Sequence, residues 1–123
     1  MPYHGKSALL VEDDDAIRLF LSRYLKRMGM EVTEAEDGMA AIRKLDACNP
    51  DLIITDLSMP RMNGVEFIQE ARKSGFKNPI IAVTGAAEDL EVMAITAGAT
   101  MVLHKPIFRV GLLDAINSVM PGV

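Results

Sequence analysis

Cysteine is nearly absent: Cys48 is the single one in 123 residues. An intramolecular disulfide and a thiolate metal cluster are therefore excluded, and a reducing cytoplasm suits the chain. Cys48 sits near the end of a helical stretch and reads as a small packing residue. An excess of positive charge is also missing, since 13 basic residues stand against 17 acidic ones for a formal net charge of −4. The electrostatic footprint of a nucleic-acid binder is thus lacking. No apolar run approaches the roughly 20 residues of a membrane-spanning helix. Ahead of the first apolar run, Met1 to Ser7 offers neither an apolar core nor a small-residue cleavage site, so it reads as a loose leader over residues 1–6 rather than a secretory signal. There is no repeat, low-complexity segment or internal linker. The length suits one domain, which is placed at residues 7–121 with no effector domain in this chain.

Five short segments have strand character. Four are nearly pure apolar runs: Ala8 to Val11, Leu52 to Thr55, Ile80 to Val83 and Met101 to Leu103. Such runs fit strands covered on both faces. Glu31-Val32-Thr33-Glu34-Ala35 alternates instead and is placed at the sheet edge. Between them lie helical patterns. Ile17, Phe20, Leu21, Tyr24, Leu25 and Met28 share one helical face, while Arg18, Arg23, Lys26 and Arg27 point elsewhere. Asp14 or Asp15 can cap that helix, and Gly29 can end it. A second helix is predicted from about Met39 to Ala47, stopped by Asn49-Pro50. A third carries Val65, Ile68 and Ala71 and closes at Gly75. A fourth follows Glu88 and Asp89, whose charges favour a helix N-terminus, and a fifth uses Leu112, Leu113, Ile116, Val119 and Met120. The order is βα repeated five times, and its consistent solution is an α/β doubly wound parallel sheet. The nine methionines read as irregular core filler.

The apolar runs end on residues with chemistry. Counting all five strand segments in chain order, Glu12, Asp13, Asp14 and Asp15 follow the first, Asp56 the third, Thr84 the fourth, and Lys105 and Pro106 the fifth, which closes on His104. In a parallel sheet these ends share one edge, where open α/β sheets bind ligands. Glu12, Asp13 and Asp56 packed together without a cation would force at least one to hold a proton. A hard divalent cation removes that cost. Mg²⁺ suits the set because it takes oxygen ligands and usually only one or two carboxylates plus a phosphate oxygen. Asp56, ending a central strand, is the best-placed phosphoryl acceptor. Lys105 would neutralise phosphoryl oxygens and Thr84 would donate one hydrogen bond. His104 is expected to face away, because strand side chains alternate.

On these residues the chain resembles the receiver domain of bacterial two-component response regulators. The likeness is carried by Glu12-Asp13, Asp56, Met59-Pro60 with Asn63-Gly64, Thr84-Gly85, Ala97-Gly98-Ala99 and Lys105-Pro106. It implies a flavodoxin-like (βα)5 fold with strand order 2-1-3-4-5 and an aspartyl-phosphate switch. A sensor histidine kinase or histidine phosphotransfer protein would phosphorylate Asp56. Mg²⁺ would be held by Asp13, Asp56 and the Ser58 carbonyl, with Glu12 acting through a water on the ion. Thr84 and Lys105 would contact the phosphoryl group, the face of the fourth helix, fifth strand and fifth helix would meet an output protein, and Lys105-Pro106 would be cis. The chain would be a phosphoacceptor with at most self-phosphorylation and slow self-dephosphorylation, as a monomer or a phosphorylation-dependent dimer. It would be a free-standing regulator or part of a larger protein, with no direct contact to nucleic acid or membrane.

Two other classes are weaker. A haloacid dehalogenase-type phosphatase needs a second aspartate two residues after the nucleophile, where this chain has Ser58. Flavin binding needs a phosphate cradle where Glu12 to Asp15 would repel one. A receiver-like docking module without phosphorylation draws support only from Val102. Ser58 and Ala86, both small, are expected not to obstruct hydrolysis of an acyl phosphate. Val102 departs from the family pattern by standing where an aromatic switch residue is usual, and a valine has one stiff torsion and no ring to turn. Activation is therefore expected to rely on backbone and loop movement. Structures with and without a phosphoryl mimic should show Val102 keeping its rotamer and exposure, and a large change in both would contradict this.

Overall fold

The computed structural model describes residues 2–59, 61–85 and 88–120, the side chains of Glu88 and Asp89 excepted. Five strands, β1 (Ser7–Val11), β2 (Glu31–Ala35), β3 (Leu52–Asp56), β4 (Ile80–Thr84) and β5 (Met101–His104), alternate with α1 (Asp15–Arg27), α2 (Gly38–Cys48), α3 (Gly64–Lys73), α4 (Glu88–Ala97) and α5 (Arg109–Val119). The sheet order is β2-β1-β3-β4-β5, all pairs parallel. This is the doubly wound arrangement expected from the βα alternation, with the alternating segment at an edge.

Strand parity explains the two cores. Leu9, Val11, Ile53, Ile80 and Ala82 face α2, α3 and α4, meeting Ala41, Leu45, Phe67, Ile68 and Ala94. Ala8, Leu10, Leu52, Ile54, Ile81 and Val83 face α1 and α5, meeting Leu21, Leu25, Leu112 and Ile116. The central strands β3 and β4 are buried along their full length, as their apolar runs require. Among the described residues, no helix is long and apolar enough to cross a membrane.

Helix starts follow local chemistry. Asp14 accepts from the Ile17 N–H, Asp37 from Ala40 N, and Asn63 and Glu66 form a reciprocal capping box at α3, each filling donors a helix start leaves unpaired. The part that the side chains of Glu88 and Asp89 play at the start of α4 falls outside the described residues. Helix α2 runs one residue further at each end than its sequence pattern indicates, with Asn49 in the left-handed conformation as its C-cap. Cys48 is half-buried against the core of that face.

Two expectations are corrected. The apolar face assigned to α1 is wider than its burial: Leu21, Leu25 and Met28 are buried but Phe20 is exposed, because the sheet under α1 is shared with α5. The segment ahead of β1 is not loose. Tyr3 is buried, its N–H donates to Met28 O at 2.9 Å, and its hydroxyl donates to Asn117 Oδ1 of α5. Burial raises the Tyr3 hydroxyl pKa.

At the opposite edge from the strand C-termini, Arg72 ties three segments together. Its guanidinium donates to Gly98 O (3.0 Å), Phe76 O (3.0 Å), Asn78 O (2.8 Å) and Thr100 Oγ1 (3.4 Å), and it lies over the Phe76 ring. A rigid fork can serve several acceptors that a lysine cannot. Arg72→Ala is expected to destabilise the fold by about 2–3 kcal/mol by leaving part-buried carbonyls without donors, with Arg72→Lys recovering less than half. Urea denaturation checks this, and an unchanged midpoint in Arg72→Ala would contradict it.

Candidate functional site

The parallel register brings the strand C-termini to one edge, and backbone bonds fix them there. Glu12 N donates to Ala35 O (3.0 Å), Leu57 N to Val83 O (3.0 Å) and Lys105 N to Thr84 O (2.9 Å). Thr55 Oγ1 donates to Asp56 O at 2.9 Å. Gly64 packs directly on this strand end: a Cβ there would stand 2.2 Å from Asp56 O. Only glycine lets α3 begin so close to the strand it follows.

Asp56 is 3% exposed. Its Oδ1 accepts from Ser58 N at 3.2 Å and its Oδ2 from Lys105 Nζ at 2.9 Å. Lys105 Nζ also lies 3.7 Å from Glu12 Oε1. Carboxylate oxygens of Glu12, Asp13 and Asp56 all fall within 4.8 Å of one another. Glu12 and Asp56 are buried and Asp13 is exposed, so the cluster opens to solvent on the Asp13 side. The donors are all oxygen and converge with one open side, which fits a hard divalent cation such as Mg²⁺.

The electrostatics agree with a site built for a cation. Burial first, and the charge of Asp56 with it, push Glu12 up from 4.5 to about 7, against the Asp14 N–H bond and the Lys105 charge, which pull it down. Glu12 Oε2 accepts that Asp14 N–H at 3.0 Å. Partial burial alone would lower the Lys105 ammonium, but its hydrogen bond and ion pair to Asp56, with Glu12 and Asp13 adding, raise it overall. Lys105 therefore stays charged.

Every predicted site residue is at this edge. Thr84 is buried at the end of β4, and Lys105-Pro106 is cis. His104 points away, with Nε2 3.3 Å from Glu91 Oε2 of α4. Val102 is partly buried against the α2–α4 side of the core. Ala86 and Pro60 lie outside the described residues. Two contributions are missed by sequence reasoning. The Ser58 N–H restrains Asp56, which no side-chain pattern signals. Arg18 Nη1 donates to Glu12 O at 2.8 Å, while the same guanidinium reaches Asp15 (2.5 Å) and Glu34 (3.3 Å). Its spacing of three from Asp15 is the only hint, because a polar residue off an apolar helical face ordinarily reads as solvated.

A flavodoxin-like βα sheet with an acidic, lysine-closed pocket at its strand C-termini defines a class of open α/β folds that gather polar groups at that edge. Within that class the identity is specific: residues 8–117 match the response regulator receiver domain, and the chain belongs to that family, a module of two-component signalling rather than a conventional enzyme. The chemotaxis protein CheY of Thermotoga maritima is 33% identical over 117 residues, covering 94% of this chain and 98% of that protein. Regulator of RpoS from Escherichia coli is 33% identical over 107 residues, covering 86% of this chain; the chain spans only 32% of that relative's length. Among solved structures, the chemotaxis response regulator CheY4 of Vibrio cholerae superposes with a TM-score of 0.88 at 32% identity, covering 94% of this chain and 98% of that one.

The raised Glu12 pKa has a stability consequence. A carboxyl that binds its proton more tightly folded than unfolded contributes stability below its unfolded pKa and loses it as pH rises through its folded one. Free of divalent ions, the protein should lose stability relative to Glu12→Gln as pH climbs from 4.5 to about 7, and Mg²⁺ should restore it above that window. Denaturant titrations of both proteins at the two ends of the window test this, and a difference independent of pH would contradict it.

Proposed function

We propose that the chain is a phosphorylation-controlled switch of a two-component system, with Asp56 as the residue that accepts a phosphoryl group from a sensor histidine kinase or a histidine phosphotransfer protein. The observation that carries this reading is the Asp56 carboxylate itself. It is buried, restrained on one oxygen by the Ser58 N–H and on the other by Lys105, and it sits within 4.8 Å of the Glu12 and Asp13 carboxylate oxygens. Asp13, Asp56 and the Ser58 carbonyl would hold Mg²⁺, with Glu12 supporting from the buried side. When bound, the ion neutralises the negative charge that gathers as two anions approach.

The chain's own residues account for the rest. An Asp56 oxygen forms the new P–O bond as the donor's P–N bond breaks, and the departing imidazole keeps the electron pair. Lys105, already on Asp56, neutralises oxygens of the transferred group as a point charge. Thr84 donates its hydroxyl to the same group, drawing in the end of β4. The rearrangement reaches the α4, β5 and α5 face, which then engages an output protein. Residues 7–121 form the receiver domain, onto which the preceding segment packs through Tyr3, and a cytoplasmic setting suits the function.

Mixing the protein with Mg²⁺ and phosphoramidate or acetyl phosphate, then weighing it, should give the mass of one added phosphoryl group. Asp56→Asn and a chelator should each abolish the gain. A stable lack of added mass in the unaltered protein, or a gain that survives Asp56→Asn, would defeat this reading.

A further inference from the structure

The loop from Leu57 to Asn63, which joins β3 to α3, is tied across the top of the sheet to the start of α2. Arg61 Nη2 lies 3.0 Å from Asp37 Oδ2, where the Asp37 side chain is 2% exposed and that of Arg61 66%. The other Asp37 oxygen accepts from Ala40 N at 2.8 Å. One buried carboxylate therefore caps a helix and receives a guanidinium from a different element. A buried carboxylate is costly to leave half-paired, which favours the guanidinium at this place.

Two backbone features point the same way. Arg61 has φ of 65°, a left-handed conformation that a residue with a long side chain keeps only where its surroundings hold it. Beside Asp37, Gly38 receives the next residue of the loop: a Cβ on Gly38 would stand 2.6 Å from Met62 O and 2.9 Å from Met62 Cβ. Residues 37 and 38 thus grip residues 61 and 62 side by side. Among the described residues of this loop, Arg61 makes the only ion pair. Near the β3 end of the same connection lies Ser58, whose N–H restrains Asp56.

We propose that Arg61 is a positioning residue for the metal site: its ion pair with Asp37, seated by Met62 on Gly38, fixes the loop so that the Ser58 backbone stands beside Asp56, and so sets the affinity for Mg²⁺. This rests on the reading of Asp13, Asp56 and Ser58 as the cation's ligands. Arg61 itself is engaged by Asp37 and touches neither the ion nor the acceptor carboxylate. It acts as outer partners of metal ligands do, by orienting them.

The test is Mg²⁺ binding by calorimetry, with melting temperatures taken alongside. Arg61→Ala and Asp37→Asn should each weaken binding about tenfold, in the range typical for outer-shell partners. Asparagine caps a helix as well as aspartate, so Asp37→Asn isolates the ion pair and should melt close to the unaltered protein. The double variant should bind no more weakly than either single one, because both remove the same contact. Arg61→Gly relieves the left-handed backbone yet still loses the pair, and should match Arg61→Ala, while Arg61→Lys should recover part of the affinity. Unchanged Mg²⁺ affinity in Arg61→Ala, or losses that simply add in the double variant, would overturn the proposal. If the unaltered protein binds no Mg²⁺, or Asp56→Asn binds it equally well, the ligand assignment falls and the proposal with it.

Discussion

Negative charge held close to negative charge is the condition to which the rest of this molecule answers. Glu12 and Asp56 are buried, Asp13 stands beside them, and carboxylates in such proximity resist joint ionisation unless a cation intervenes. Lys105 supplies one positive charge, at 2.9 Å from Asp56 and 3.7 Å from Glu12. It cannot satisfy three carboxylates, and burial first, with the charge of Asp56 added, makes Glu12 retain its proton more strongly than an ordinary glutamate. The remaining negative charge makes the pocket receptive to a hard cation. Two hydrophobic layers keep the arrangement from relaxing, since neither β1 nor β3 can shift without disturbing packing on both faces of the sheet.

Much of this is legible in the sequence because each feature has a local physical cause. Pure apolar runs betray strands covered on both sides, and the alternation of Glu31 to Ala35 betrays the edge strand. Asp14, Gly29 and Gly75 mark helix limits through capping and left-handed backbone. The acidic cluster, Thr84 and Lys105 converge because parallel strands all deliver their C-termini to one edge, so a linear list of strand ends becomes a list of neighbours. What escapes is tertiary. Tyr3 reads as part of a loose leader because the partners that bury it, Met28 and Asn117, are distant in the chain. Phe20 continues an apolar helical stripe that no periodicity can show to be only partly covered. The reach of Arg18 to the Glu12 carbonyl is likewise invisible until the loop around it exists.

Arginine recurs as the device that holds irregular chain in place. Arg18 braces the acidic loop after β1 from the side of β2, Arg61 reaches the start of α2, and Arg72 gathers the segments around the ends of α3 and α4 at the opposite edge. Each uses a planar fork to meet several acceptors or one buried carboxylate, which a flexible ammonium would do less well. Loops that carry chemistry need such bracing, because they lack the ladder of backbone bonds that makes strands rigid.

Burial is graded across the sheet. Strands β3 and β4 are buried at every position, whereas β5 is only partly covered and its His104 end is exposed. The Asp56 carboxylate thus stands on a strand buried at every position, while the lysine paired with it directly follows a strand that is only partly covered. Cover over the sheet therefore thins from β3 and β4 toward β5, the side from which Lys105 reaches the Asp56 carboxylate, so the pocket has a fully packed floor and a thinly covered wall, as a hearth is built solid beneath and open at one side.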